Sequence, residues 1–161
     1  GIPISLYFKQ RHALVVFFND VLMTTNFIKF FLLCSVLCNF SYADEYVIVA
    51  NKNMKELSLG EIKAIFLKKI SFTNDIKVIP INLSSRDAVR SKFEQQILKM
   101  NLIKLKSYWT KQHYLGRRPP ITMKSLEAIK TFVKKVDGAI GYMNVNTVDD
   151  SVKILYKWSD E

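Results

Sequence analysis

Two cysteines, Cys34 and Cys38, are all that 161 residues contain, and both sit in one apolar segment. No thiol occurs from residue 44 onward, so a folded domain there has no disulfide, no thiolate metal site and no cysteine nucleophile. Histidine is almost as scarce. His113 is the only one past residue 43, in a stretch rich in Trp and Tyr, and no His, Cys and Asp cluster has metal-ligand spacing. The five glycines never gather into a phosphate cradle, and no GxGxxG, P-loop or GxSxG pattern occurs. Asp149-Asp150 is a carboxylate pair without a partner motif and reads as a solvated turn. No nucleophile, base and orienting group can be assembled, so the sequence supplies no catalytic residue, no metal site and no cofactor site. The net charge is +10, yet no run of basic residues exceeds two. Scattered lysines read as a solvated surface and not as a nucleic-acid stripe.

What is present begins with an apolar, unevenly charged amino-terminal segment, residues 1–43. Residues 1–22 start at Gly1 and read as an upstream or non-native extension. Residues 23–43 have the order of a secretory signal peptide. Met23–Lys29 carries one cation, 30–38 is an apolar core of nine, and Ser41-Tyr42-Ala43 is a small-x-small cleavage pattern. Nine apolar residues are too few to span a bilayer. The expectation is export to the periplasm of a domain covering residues 44–161, with 21 Lys and Arg against 13 Asp and Glu.

Within that domain, Tyr46–Ala50 is a short continuous apolar run, as in a strand covered on both faces, and Ala139–Met143 and Val152–Tyr156 read as two further short strands. Ser58 and Glu61 form a capping box ahead of an Ile62, Ile65, Phe66 stripe. Leu102–Leu115 carries a helical pattern that Gly116 ends. Ser125 caps another helix with Leu126, Ile129, Phe132-Val133 and Val136 on one side. Phe72–Asp75 reads as a turn. Strands alternating with helices predict an α/β fold, a single three-layer domain with a mainly parallel sheet.

The informative stretch is Ile76–Met100. Lys77–Asn82 reads as a strand, with Pro80 placing it near an edge or a bend. Asp87–Met100 reads as a helix, with Val89, Phe93, Ile97 and Met100 at a 3.6-residue period. Between them Ser84 and Asp87 fit a capping box. A strand that hands over to a helix start offers unpartnered N–H groups and a positive dipole end. Asn82, Ser84, Ser85 and Arg86 are the candidate anion ligands there. The alternative is plain capping with Arg86 in water. Arg117 and Arg118, in a stiff Gly116–Pro120 loop, join the candidates if that loop lies at the same end of the sheet, because Arg suits bidentate oxyanion contact. Ligands of open α/β sheets bind beyond the carboxyl ends of strands, where Ser84–Arg86 falls.

The order of LSLGEIKAIFLKK, KVIPINL, a Phe-bearing helix, SYWTKQHYLGRRPP and DGAIGYM resembles the small periplasmic phosphate-binding-protein-like domains. These are related to substrate-binding components of phosphate ABC transporters, of the type II periplasmic binding protein fold. The resemblance spans roughly residues 46–155. It implies capture of phosphate or a similar oxyanion, with a membrane permease as partner for transporter components. Ser84, Ser85 and Arg86 fall where the family loop holds phosphate, although the family's Gly-Ser-Gly-Thr is absent. About 118 residues make one lobe of such a protein. The expected function is therefore a non-enzymatic periplasmic oxyanion binder, with membrane contact only through the leader and no nucleic-acid partner. The alternatives are an envelope protein-interaction module without ligand and, from charge alone, a nucleic-acid binder.

Overall fold

The computed structural model describes residues 44–160. The extension and signal segment expected from the sequence lie outside the described residues. Strand β1 (Glu45–Ala50) is followed by α1 (Leu59–Phe66), a small hairpin of β2 (Phe72–Thr73) and β3 (Ile76–Lys77), and β4 (Ile79–Leu83). Helix α2 (Ala88–Lys92) widens into a π-helical turn over Phe93–Ile97. Then come α3 (Leu102–Tyr114), β5 (Ile121–Met123), α4 (Leu126–Lys135), β6 (Ala139–Asn144), a 3-10 turn at Val145–Thr147 and β7 (Lys153–Ser159).

The main sheet has the order β5-β4-β6-β1-β7. β4 pairs in parallel with β5 and β6, while β1 is antiparallel to both β6 and β7. Four of the five strands therefore run one way, with β1 reversed among them. This is the mainly parallel α/β sheet that the pattern predicts.

Alternation along β6 shows how the layers form, because successive side chains point to opposite faces. At Gly141 a Cβ would stand 2.6 Å from Ile129 Cγ2, so α4 lies against that face. The next residue, Tyr142, points the other way. It stacks on Phe93 at 4.1 Å and tilts against Phe66 at 5.8 Å, which puts α1 and the π turn on the second face. Phe66 and Phe93 are themselves 4.6 Å apart. Aromatic pairs of this kind contribute about 0.5–1.5 kcal/mol each beyond their buried area. With one helix layer on each face, β1 is buried from Tyr46 to Ala50, as its unbroken apolar run requires.

The helix signals act as read. Ser58 and Glu61 close a reciprocal box on α1, and Ile62, Ile65 and Phe66 are buried. Ser125 accepts from Ala128 N–H to open α4. α3 stops at Gly116, where Arg117 N–H returns to Gln112 carbonyl at 3.0 Å.

Three readings need correction. Phe72–Asp75 is not only a turn: Phe72 and Thr73 pair with Lys77 and Ile76 around Asn74-Asp75, both at positive φ. The strand from Lys77 is interrupted at Val78, and β4 proper begins at Ile79. The edge strand β5 was not expected at all. It also explains Pro80. Ile79 N–H donates to Gly138 carbonyl on the β6 side, so Pro80 faces the β5 side, where pairing begins only at Ile81. A missing donor costs nothing there.

Candidate functional site

β4 ends at Leu83, and its carboxyl end is fixed by buried polar contacts. Burial pushes the Tyr142 phenol above its ordinary range, so it stays protonated. It donates to Asn82 Oδ1 at 3.3 Å and accepts from Leu83 N–H at 3.2 Å. Arg90 Nη1 donates to Leu83 carbonyl at 2.8 Å, and Arg90 Nε is paired with Glu94 at 2.6 Å. Asn82, one of the candidate ligands, is thus a buried residue that positions the strand end. Arg90 was not among the candidates. Its spacing from Glu94 was visible as an i,i+4 pair, but its reach to Leu83 was not.

Ser84–Asp87 forms a turn in which Asp87 N–H donates to Ser84 carbonyl at 3.0 Å. Ser84 is half-buried, and Ser85 and Arg86 are exposed at the tip. The cap of α2 is Asp87, whose Oδ1 accepts from Val89 N–H at 2.8 Å. This corrects the Ser84 capping box. An aspartate can reach the N–H two residues ahead, and here it places a carboxylate at the positive helix end. The groups left to meet an anion are therefore the two hydroxyls and the Arg86 guanidinium, with the Asp87 charge beside them.

Register decides where Arg117 and Arg118 lie. β4 and β5 are parallel, with Ile81 beside Ile121 and Leu83 beside Met123. Ser84–Arg86 follows β4 and Arg117-Arg118 precedes β5, so the two loops sit at opposite ends of the sheet. Contacts agree: Arg117 Nη1 donates to Gln112 Oε1 at 3.0 Å, and its charge is felt by Tyr108, which donates to the carbonyl of Leu67, the residue that caps the end of α1. Arg117 and Arg118 do not face the same anion as Ser84–Arg86. What the parallel strands bring to the carboxyl end instead is Lys124-Ser125 after β5 and the Asn144–Thr147 turn after β6.

Among the described residues no group of three His, Cys, Asp or Glu is placed to hold a metal ion, and no helix is long and apolar enough to cross a membrane. His113 is exposed on α3.

No family model matches the sequence, and no curated protein does either. Solved structures do match. An ABC-type phosphate transport receptor from Vibrio cholerae superposes with a TM-score of 0.56 at 19% identity, over 70% of this chain and 46% of that one. The fold is that of a single solute-binding-protein lobe. A candidate phosphate ABC transporter substrate-binding protein from Clostridium perfringens, with phosphate bound, gives 0.57 at 23% identity, over 70% and 44%. PstS from Borrelia burgdorferi gives 0.51 at 17%, over 70% and 47%. The lobe thus spans less than half the length of each of these proteins.

Proposed function

We propose that this lobe is a non-enzymatic periplasmic binder of phosphate or a similar oxyanion, received at the turn after β4 by Ser84, Ser85 and Arg86. The observation that carries the reading is the placement of this Ser-Ser-Arg turn beyond the carboxyl end of a parallel strand. The lobe shares its fold with proteins named as phosphate receptors. Lys124, just beyond the neighbouring strand, adds positive potential without a second arginine pair. Hinge closure over a ligand takes two lobes, so binding by one lobe tested by itself is expected to be weak and in fast exchange. Delivery to an ABC permease would follow from the same role.

Calorimetric titration with phosphate and with sulfate tests it. Saturable heat at up to millimolar anion is expected, weakened about tenfold or more by Arg86→Ala, the loss of one charge-assisted bond. Arg117→Ala should leave the isotherm unchanged. Absent heat, or an Arg86→Ala isotherm identical to the parent, would remove the site. One observation favours a second reading: the Asp87 carboxylate already occupies the helix end where an anion would otherwise sit. In that case the lobe is an envelope interaction module, and chemical crosslinking recovers a protein partner while no anion binds.

A further inference from the structure

Eight of the sixteen cations outside ion pairs among the described residues lie at the end of the sheet opposite Ser84–Arg86. Reading across the strand order, Arg117 and Arg118 precede β5, Lys77 precedes β4, and Lys52 follows the reversed β1. Lys134 and Lys135, in the last turn of α4, share a polar cavity with Lys52 and Asp137. Lys68, at the end of α1, is near enough to Lys77 to feel its charge, and Lys69 is next to it. All eight are exposed except Lys68, which is half-buried. Among the described residues the ion pairs are made by Lys55, Arg90, Lys92, Lys130 and Lys153, and by none of these eight. The carboxylates outside ion pairs near that end are Asp75, Asp137 and Asp150, and Asp137 accepts from Asn53 at 3.0 Å.

Large apolar side chains stand among these cations. Phe72 is in register with Lys77. Tyr114 shares an open groove with Pro119 of the arginine loop, Leu115 lies two residues before Arg117, and Ile121 opens β5. The four are between 57% and 84% exposed. A row of cations alone fits any polyanion. Aliphatic groups among them discriminate, because Leu115 and Ile121 have no π-face on which a base can stack. They do partition into the boundary between headgroups and acyl chains, where basic residues meet lipid phosphate.

We infer that this end docks on an anionic phospholipid bilayer, with the cations on headgroup phosphates and Phe72, Tyr114, Leu115 and Ile121 at the headgroup boundary. The contact is made by the folded lobe itself, beyond any contact made by a leader. It turns the Ser84–Arg86 end, roughly 20 Å away along β4, toward open solvent.

Vesicle flotation of the full chain tests it, comparing phosphatidylcholine alone with mixtures containing about a third phosphatidylglycerol. The apolar segment at residues 30–38 contributes to both, so the signal is the difference between vesicle types. Preferential flotation with anionic vesicles is expected. Arg117→Glu with Arg118→Glu should cut that preference at least about 25-fold, at a factor of about five per cation. Lys134→Glu with Lys135→Glu should act similarly and covers the case in which the arginine variant misfolds, as circular dichroism would reveal. Lys104→Glu with Lys157→Glu makes the same net-charge change elsewhere and should leave the preference intact. Equal binding to both vesicle types, an equal fall in the control pair, or retention by duplex DNA in place of vesicles at the same salt would each overturn the assignment.

Discussion

The two ends of the parallel strands differ in what their charged groups do. At the carboxyl end the polar groups are spent on each other: Tyr142, Asn82, Leu83, Arg90 and Glu94 form one connected set. Near the carboxyl ends of the strands Arg86, Lys124 and Lys157 stand with Asp44, Glu45 and Asp87, none of them in an ion pair. At the amino end, among the described residues, eight cations outside ion pairs stand with three such carboxylates, while buried Asn51 donates to the Val133 carbonyl at 3.0 Å and the Lys134 carbonyl at 3.2 Å. The first end is a structural joint with the exposed Ser85-Arg86 tip beyond it. The second is also tied by side-chain hydrogen bonds, but its eight cations make no ion pair. Net charge therefore says little about this domain until it is divided between the ends.

The largest effect that sharpens this contrast is expected at Phe93. It is fully buried between Phe66 and Tyr142, on the π turn that closes the face beneath the polar joint. Phe93→Ala removes the ring and leaves a cavity, which costs about 3–5 kcal/mol. Urea unfolding monitored by circular dichroism measures it. A loss below about 1 kcal/mol would mean that the joint does not rest on this stack.

Much of this was legible in the sequence, and what was not has physical causes. Unbroken apolar runs announce β1 and β6 because both faces of the sheet are covered there, whereas edge strand β7 is half-buried or exposed along its length. Capping pairs announce α1 and α4 because their partners are three residues away. β5 is three residues after two prolines and gains its identity from β4, so no periodicity could reveal it. Missing β5 hid which end Arg117 and Arg118 occupy, since a loop's end is fixed by the direction of the strand it feeds. At the turn after β4 two acceptors competed for the cap role. Asp87 won by reaching Val89, which only coordinates can show. The Tyr142–Asn82 bond joins residues 60 apart in the chain and left no local signal at all.

A smaller effect compares the ends directly. Tyr142→Phe keeps the ring stack but strips a donor from Asn82 and an acceptor from Leu83, so about 1–3 kcal/mol is lost. Lys77→Ala and Arg118→Ala, at the other end, should stay within about 0.5 kcal/mol of the parent because no buried partner is orphaned. Thermal unfolding of the three variants gives the comparison. If the amino-end variants lose as much as Tyr142→Phe, the cations there are structural, and the case for an external partner weakens with them.

The smallest effect concerns an acid on the segment that leads from the turn after β6 to the start of β7. The Ser151 hydroxyl and N–H, and then Lys130, hold the Asp149 carboxyl down to about 2, below its ordinary 3.8. Ser151 N–H donates to Asp149 Oδ1 at 2.9 Å, and Lys130 Nζ is 3.3 Å from Oδ2. A folded pKa below the unfolded one means that the contribution is fully present above about pH 4 and is lost as pH falls through about 2. Carbon-detected NMR should place the Asp149 midpoint near 2. Ser151→Ala should raise that midpoint more than Lys130→Ala, because the serine is the larger cause. The reverse order would make the lysine the controlling partner, and ion pairing would then matter more on this segment than the hydrogen bonds that position its acid.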